Sequence, residues 1–259
     1  LVGAARHQDR AGLGNALTAA EHEEDMQLLR DMGANTVRLA HYQHAQYFYD
    51  LCDKYGLVAW AEIPYITEHM PEATANTLSQ MEELVLQNYN HPSIICWGLS
   101  NEITVTTGVT EDLTANHRLL NDLCHRLDAT RPTTMAHAFM LDPNDPFVQL
   151  PDICSYNLYY GWYLGELQQN DEFFDTFHKN HPDRVIGLSE FGADANPAYQ
   201  SARSAATGRK ATKPSTTSIC SKCGRSAPTS GRCTSGTAST SARTDAVRAA
   251  SPVRTRRVL

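Results

Sequence analysis

Residues 94–102 read IICWGLSNE, a run of mostly apolar residues that ends on an amide and a carboxylate side chain. Residues 185–190, VIGLSE, have a similar arrangement, with a serine hydroxyl in place of the amide. Short, continuously apolar runs are typical of parallel strands that are covered on both faces. Polar residues at the ends of such strands collect at one edge of the sheet, where ligands bind. The two stretches therefore predict both a fold class and the place of a functional site.

Five further runs of the same kind bring the number of predicted strands to seven. The seven runs span residues 2–5, 36–40, 57–63, 94–99, 133–138, 153–158 and 185–188. Helical patterns lie between the strands, one of them opened by the capping box Thr18-x-x-Glu21. This order predicts an α/β fold with a parallel sheet, either doubly wound or closed as a (β/α)8 TIM barrel. No glycine-rich phosphate loop follows a strand, which favours the barrel, incomplete because an eighth strand is missing.

Charge divides the chain into two parts. Residues 1–203 carry 11 Lys+Arg and 28 Asp+Glu, a net charge of −17, and hold all 21 aromatic residues. Residues 204–259 carry 11 Lys+Arg and one acid, Asp245, a net charge of +10. The second part cannot bury enough apolar surface to offset the entropy lost on ordering. We therefore predict a partial barrel domain over 1–203 and a disordered basic tail over 204–259.

The sequence also bears on the compartment. No run approaches 18 apolar residues, as a transmembrane helix would need. The N-terminus has no basic segment followed by an apolar stretch, so no signal peptide is visible and we favour the cytoplasm.

Two carboxylates stand out at strand ends, Glu102 and Glu190. On opposed strands of a barrel they would suit hydrolysis of a glycosidic bond, in which one carboxyl protonates the leaving oxygen and the other attacks the anomeric carbon or activates water. The alternative is that these acids cap helices or form ion pairs, as single acids at strand ends often do. Two acids that each follow an apolar strand and an Asn or Ser favour the catalytic interpretation.

Residues 1–203 resemble the catalytic barrel of glycoside hydrolase family 2, and especially its β-galactosidases. The resemblance covers nearly all of this part. It is carried by ARHQDR, GANTVRLAHYQH, FYDLCDKYGLVAWAEIP, NYNHPSIICWGLSNE, NLYYGWY and GLSEFGADANPAYQSAR.

The resemblance implies a role for each matching residue. Glu102 matches the general acid/base and Glu190 the nucleophile, while Asn101 matches the residue that binds the sugar 2-hydroxyl. Arg38 and His41 match a pair that supports the nucleophile and the transition state. The remaining expected pocket residues are Tyr159, which would bond the nucleophile, and Asn157, Trp162 and His7.

The expected activity is that of a β-galactosidase fragment that lacks the N-terminal β-sandwich domains and the eighth strand. We expect cleavage of terminal β-D-galactosides with retention, which requires carboxyl groups about 5–5.5 Å apart. The alternatives are a β-glucuronidase of the same family, whose NLYYGWY-type stretch is similar, and a non-catalytic carbohydrate-binding barrel. As an open barrel, the isolated chain is expected to show little turnover.

Cofactor and partner expectations follow from the same resemblance. Some family members bind magnesium near the acid/base, but the ligands do not line up clearly at Glu68 and His69, so we expect no cofactor and claim no metal site. The expected partner is a β-galactoside or related oligosaccharide, with no nucleic acid and no membrane. Assembly of the parent protein into a homo-oligomer stays open.

The tail invites two further interpretations. Cys220, Cys223 and Cys233 suggest zinc, but the four-ligand spacing is incomplete and no His lies nearby. The basic charge suggests a nucleic-acid arm, but no aromatic residue is present to stack on bases.

A shift of the reading frame near Arg203 and Ser204 explains more of the tail. Suitable synonymous codons, read one nucleotide earlier, allow an amphipathic helix and an aromatic strand, as the family has at this place. We predict that the nucleotide sequence of codons 204–259 encodes these two elements in the other frame. Codons that are incompatible with that translation would contradict the hypothesis.

Overall fold

In the computed structural model, residues 1–192 and the backbone of Thr237–Ala238 are described. Parallel strands alternate with helices around a barrel. The strands are β1 (Gly3–Arg6), β2 (Thr36–Leu39), β3 (Val58–Glu62), β4 (Ile94–Asn101), β5 (Thr133–Ala138), β6 (Ile153–Leu158), β7 (Val185–Phe191) and β8 (Thr237–Ala238). The helices are α1 (Ala19–Asp31), α2 (Gln46–Tyr55), α3 (Thr74–Asn88), α4 (Glu111–Leu127) and α5 (Gln169–Asn180), with a 3-10 turn at Pro71–Ala73. The predicted α/β barrel is confirmed.

All seven predicted strands are present, within one to three residues at their ends. The structure adds β8, which pairs with β1 and β7 and closes the ring. β8 has only two residues and lies in a stretch rich in Ser and Thr. It therefore lacks the apolar run from which a strand is predicted. The 203/204 boundary, the predicted disorder of the tail and the three tail cysteines lie outside the described residues.

Local sequence signals explain where α1 begins and where α2 ends. The Thr18 backbone N–H donates to the Glu21 carboxylate at 2.7 Å, which completes the capping box of α1. Gly56 ends α2 with φ +67°, a left-handed conformation that glycine adopts without steric cost. No helix among the described residues is long and apolar enough to span a bilayer.

The end of β1 is fixed to the helical layer by a buried arginine. Arg6 pairs with Asp25 of α1 at 2.7 Å, and its guanidinium lies 3.9 Å from the centroid of the Phe48 ring of α2. Its neighbour His7 is thereby placed at the carboxyl-end mouth of the barrel, where parallel α/β barrels build their sites.

Gly98 of β4 makes room inside the barrel for the side chains of β3. A Cβ at this position would overlap Trp60 Nε1 and lie 2.5 Å from Glu62 Cβ. The absence of a side chain here allows the neighbouring strand to point both an indole and a carboxylate inward.

We predict that Gly98→Ala lowers the free energy of unfolding by about 1–3 kcal/mol, because overpacking forces these side chains from their positions. Urea titration of the purified protein measures the loss. The double variant with Trp60→Phe should lose less than the sum of the single losses, since the phenyl ring lacks the overlapping nitrogen. Additive losses would contradict the proposed overlap.

Candidate active site

Arg38 lies at the centre of the barrel mouth and is fully buried. Its Nη1 donates to Glu190 Oε1 at 2.7 Å, and its Nε donates to Glu62 Oε2 at 2.8 Å. Its Nη2 reaches both Glu62 Oε1, at 3.0 Å, and Asn101 Oδ1, at 2.9 Å. Burial lowers the pKa of Arg38, but the charges of Glu62 and Glu190 outweigh it, so the pKa is raised. The arginine is therefore permanently charged and joins β2, β3, β4 and β7.

Glu190 near the end of β7 is held by both carboxylate oxygens. Oε1 accepts from Arg38, and Oε2 accepts from the Tyr159 hydroxyl at 2.5 Å. His41 Nε2 lies 3.6 Å from Oε1. These contacts fix the direction of the carboxylate while leaving it at the barrel mouth, as a nucleophile requires.

Glu102 follows the last residue of β4 and has a different environment. Burial raises its pKa, and the nearby charge of Glu190 raises it further, while a hydrogen bond with Asn157 partly opposes the increase. Its backbone has φ +46°, which is uncommon outside glycine, and its N–H donates to Ala136 O at 2.8 Å. The two carboxyl groups thus differ in a way that suits an acid and a nucleophile.

No role was predicted for Glu62 from the sequence. It lies at the end of β3, much as Glu190 lies near the end of β7. It is buried between Arg38 and His41, whose Nδ1 lies 2.8 Å from Glu62 Oε1. Burial raises the pKa of Glu62, but the Arg38 charge and the hydrogen bonds of both partners lower it below its usual range. Its position at a strand end was the one sequence feature that could have indicated a role in the site. That position alone does not show that Glu62 pairs with Arg38 and His41.

An amide network connects the strands further around the barrel. Asn157 donates through Nδ2 to Asn101 Oδ1 at 3.2 Å. Ser189 Oγ donates to Asn157 Oδ1 at 2.7 Å. Since Asn101 Oδ1 also accepts from Arg38, both predicted amides belong to the same network as the two arginine-bound carboxylates.

The other two predicted pocket residues lie at the edge of this network. The His7 ring is edge-on to His41, with centroids 5.0 Å apart. Trp162 lies in the turn after Tyr159, and its backbone N–H donates to Tyr159 O at 3.0 Å. Its buried indole N–H has no hydrogen-bond partner within the described part of the chain.

Glu68 and His69 are the residues at which the family resemblance raised the question of magnesium binding. Within residues 1–192 no group of three or more His, Cys, Asp or Glu side chains could hold a metal ion. His69 Nδ1 instead contacts the hydroxyl of Tyr65 at 2.5 Å.

Known proteins resemble the chain along most of its length. Residues 1–207 match the model of the TIM barrel domain of glycosyl hydrolases family 2. A β-glucuronidase of Bacteroides fragilis is 43% identical over 209 residues, which are 77% of this chain and 29% of that protein. The mouse β-glucuronidase is 31% identical over 208 residues, 75% of this chain and 31% of that protein.

Solved structures also match most of this chain and about a third of their own length. An FMN-binding β-glucuronidase from Facaelibacterium prausnitzii L2-6 has a TM-score of 0.86 and 38% identity, over 92% of this chain and 37% of that chain. A Bacteroides fragilis protein described provisionally as a β-galactosidase has a TM-score of 0.78 and 36% identity, over 83% of this chain and 32% of that chain. The chain spans about a third or less of the curated relatives reported above.

We predict that Glu62→Gln lowers the free energy of unfolding at pH 7 by about 3 kcal/mol, because it leaves a buried arginine short of one counter-charge. The folded pKa of Glu62 lies below its ordinary value of 4.5. Its ionised form therefore stabilises the protein above about pH 4.5, and this contribution is lost as the pH falls through the lowered folded pKa.

The difference between wild type and Glu62→Gln should accordingly shrink between pH 7 and pH 3 in denaturant titrations. The exposed Glu82→Gln variant is the matched control and should follow the wild type. An equal difference at both pH values would contradict an ionic role for Glu62.

Proposed function

Because the chain belongs to glycosyl hydrolase family 2, we propose that it is the catalytic barrel of a retaining β-glucuronidase. The proposed reaction is hydrolysis of terminal β-D-glucuronides, with Glu102 as acid/base and Glu190 as nucleophile. Since the chain spans only part of its relatives, the activity is proposed for the intact protein.

The observation that carries the mechanism is the contrast between the two carboxyl groups. Glu190 receives hydrogen bonds from Arg38 and Tyr159, which suits an anionic nucleophile. Burial and the charge of Glu190 raise the pKa of Glu102, which suits a proton donor near neutral pH. A carbohydrate-binding module has no need of such a pair, so the non-catalytic alternative is disfavoured.

In the first step, the Glu190 carboxylate attacks the anomeric carbon and the bond from that carbon to the leaving oxygen breaks. Glu102 gives its proton to the leaving oxygen, so the aglycone departs as a neutral alcohol or phenol. In the second step, Glu102 takes a proton from water, whose oxygen attacks the same carbon and releases Glu190. Two inversions give net retention.

The choice of sugar rests on the relatives. Those at 43% and 31% identity are β-glucuronidases, as is the structure with a TM-score of 0.86. The sequence motifs favoured the galactoside, with the glucuronide as the alternative, whereas the relatives favour the glucuronide. Galactoside cleavage is kept as the second candidate because the Bacteroides fragilis structure carries that description and ARHQDR resembles the galactosidase motif.

We predict that the intact protein cleaves 4-nitrophenyl β-D-glucuronide with a kcat/KM at least about 100-fold above that for the 4-nitrophenyl β-D-galactoside. The reason is that a site that binds the polar groups of one sugar rejects an analogue that lacks them. Release of 4-nitrophenol measures the rates, and NMR of the first-formed sugar should show the β anomer. The reverse preference would support the second candidate. Release of the α anomer would contradict retention.

We predict that kcat/KM for a phenyl glycoside falls as the pH rises through the raised pKa of Glu102, because the leaving oxygen then finds no proton. In Glu102→Gln this basic limb should disappear and the rate should fall by about 100-fold or more, the usual contribution of a general acid. A pH profile of wild type, Glu102→Gln and the exposed control Glu82→Gln tests this. A basic limb that persists in Glu102→Gln would assign it to another group.

A further inference from the structure

We propose that Ser100 and His117 form a positioning pair that aims the Glu102 carboxyl at the leaving oxygen. The proposal rests on the proposed function, in which Glu102 is the acid/base. Neither residue is expected to touch substrate, since both lie between β4 and α4 rather than at the barrel mouth.

The pair is a buried hydrogen bond directly upstream of Asn101 and Glu102. Ser100 Oγ lies 2.7 Å from His117 Nε2, and the two residues are 1% and 0% exposed. His117 Nδ1 lies 2.9 Å from the carbonyl of Leu113. A carbonyl oxygen only accepts, so Nδ1 carries the hydrogen, Nε2 accepts, and the Ser100 hydroxyl donates.

The charge state of the pair is fixed by its surroundings. Burial lowers the pKa of His117 to about 4, while the hydrogen bond to Leu113 opposes the decrease. The imidazole is therefore neutral near pH 7, and the serine hydroxyl has one defined acceptor. A neutral, fully bonded pair resists rotation of the Ser100 side chain and of the backbone that carries it.

The same histidine supports a second clamp on the residue before Glu102. The Tyr65 ring stacks on His117, with centroids 5.1 Å apart. The Tyr65 carbonyl accepts from the Asn101 N–H at 2.9 Å, and the Thr67 N–H donates to the Asn101 carbonyl at 3.1 Å. His117 thus contacts Ser100, which precedes Asn101 in the chain, and Tyr65, whose carbonyl accepts from the Asn101 N–H.

A clamp is needed because the next residue has a strained backbone. Glu102 has φ +46°, where a residue with a Cβ is held only when its surroundings impose the conformation. Its N–H is fixed to Ala136 O on the far side. Because the Asn101 backbone is bonded to Tyr65 on one side and the Glu102 N–H to Ala136 on the other, a shift of Ser100 would change the direction of the Glu102 side chain.

The test separates proton donation from overall stability by the choice of leaving group. Ser100→Ala and His117→Phe are made in the intact protein and assayed with phenyl and 2,4-dinitrophenyl glycosides of the sugar that the wild type cleaves. Phenolate needs a proton to depart, whereas dinitrophenolate does not. We expect kcat/KM to fall about 10- to 100-fold for the phenyl glycoside, as for a displaced catalytic group, and to stay within about threefold for the dinitrophenyl glycoside.

His117→Gln keeps an oxygen that can accept from Ser100 and should recover part of the phenyl-glycoside rate. Ser93→Ala is the matched control, since Ser93 is a buried serine directly before the opposite end of β4 and contacts Asp53 rather than the residues around Glu102. It should change neither rate. Titration with a 2-deoxy-2-fluoro glycoside corrects each rate for the active fraction, and Ser100→Ala carries the test if His117→Phe does not fold.

Equal losses on both substrates, or no loss on the phenyl glycoside, would overturn the positioning role while leaving the proposed function intact. A wild-type protein that cleaves no aryl glycoside would overturn the proposed function, and the positioning role with it.

Discussion

A single buried guanidinium, that of Arg38, organises the mouth of this barrel. A fully buried charge is tolerated only when its partners are in place, and here they are the carboxylates of Glu62 and Glu190. The planar guanidinium presents its donors in fixed directions, so the strands that carry these partners must end at matching depths. Asn101 fills another donor position on the same group. The relative placement of four strands therefore depends on the hydrogen-bonding capacity of one side chain.

The same charge balance explains why the pKa values of Glu62 and Glu102 shift in opposite directions. Two carboxylates share the positive charge of Arg38, and a third ionised carboxylate nearby would add an unbalanced negative charge. Glu102 occupies that third position, where burial and the charge of Glu190 raise its pKa. The acid role proposed for Glu102 thus depends on the charges already present and on the packing of α4 against β4.

Particular residues show how much of the fold and of the candidate site could be predicted from the sequence. The apolar runs predicted seven strands, because continuous burial of a parallel strand leaves a visible pattern. The family resemblance singled out Glu102, Glu190, Arg38 and Tyr159, and the structure brings the last three into one hydrogen-bonded group. Glu62 and His117 were not assigned roles, because their roles follow from contacts with Arg38 and Ser100 that only the folded chain shows. The galactoside preference favoured by ARHQDR is less well supported by the relatives than the glucuronide.

The sequence by itself determined the order of strands and helices, the parallel sheet and the family, because local burial and motif spacing are written along the chain. Only the tertiary structure decided which charges lie beside one another and in which direction the pKa values of Glu62 and Glu102 shift. It also decided that a helix would hold the backbone next to Glu102. These properties depend on distances between residues far apart in the chain, such as the 2.7 Å that joins Arg38 to Glu190 across 152 positions, and no local pattern encodes such a distance.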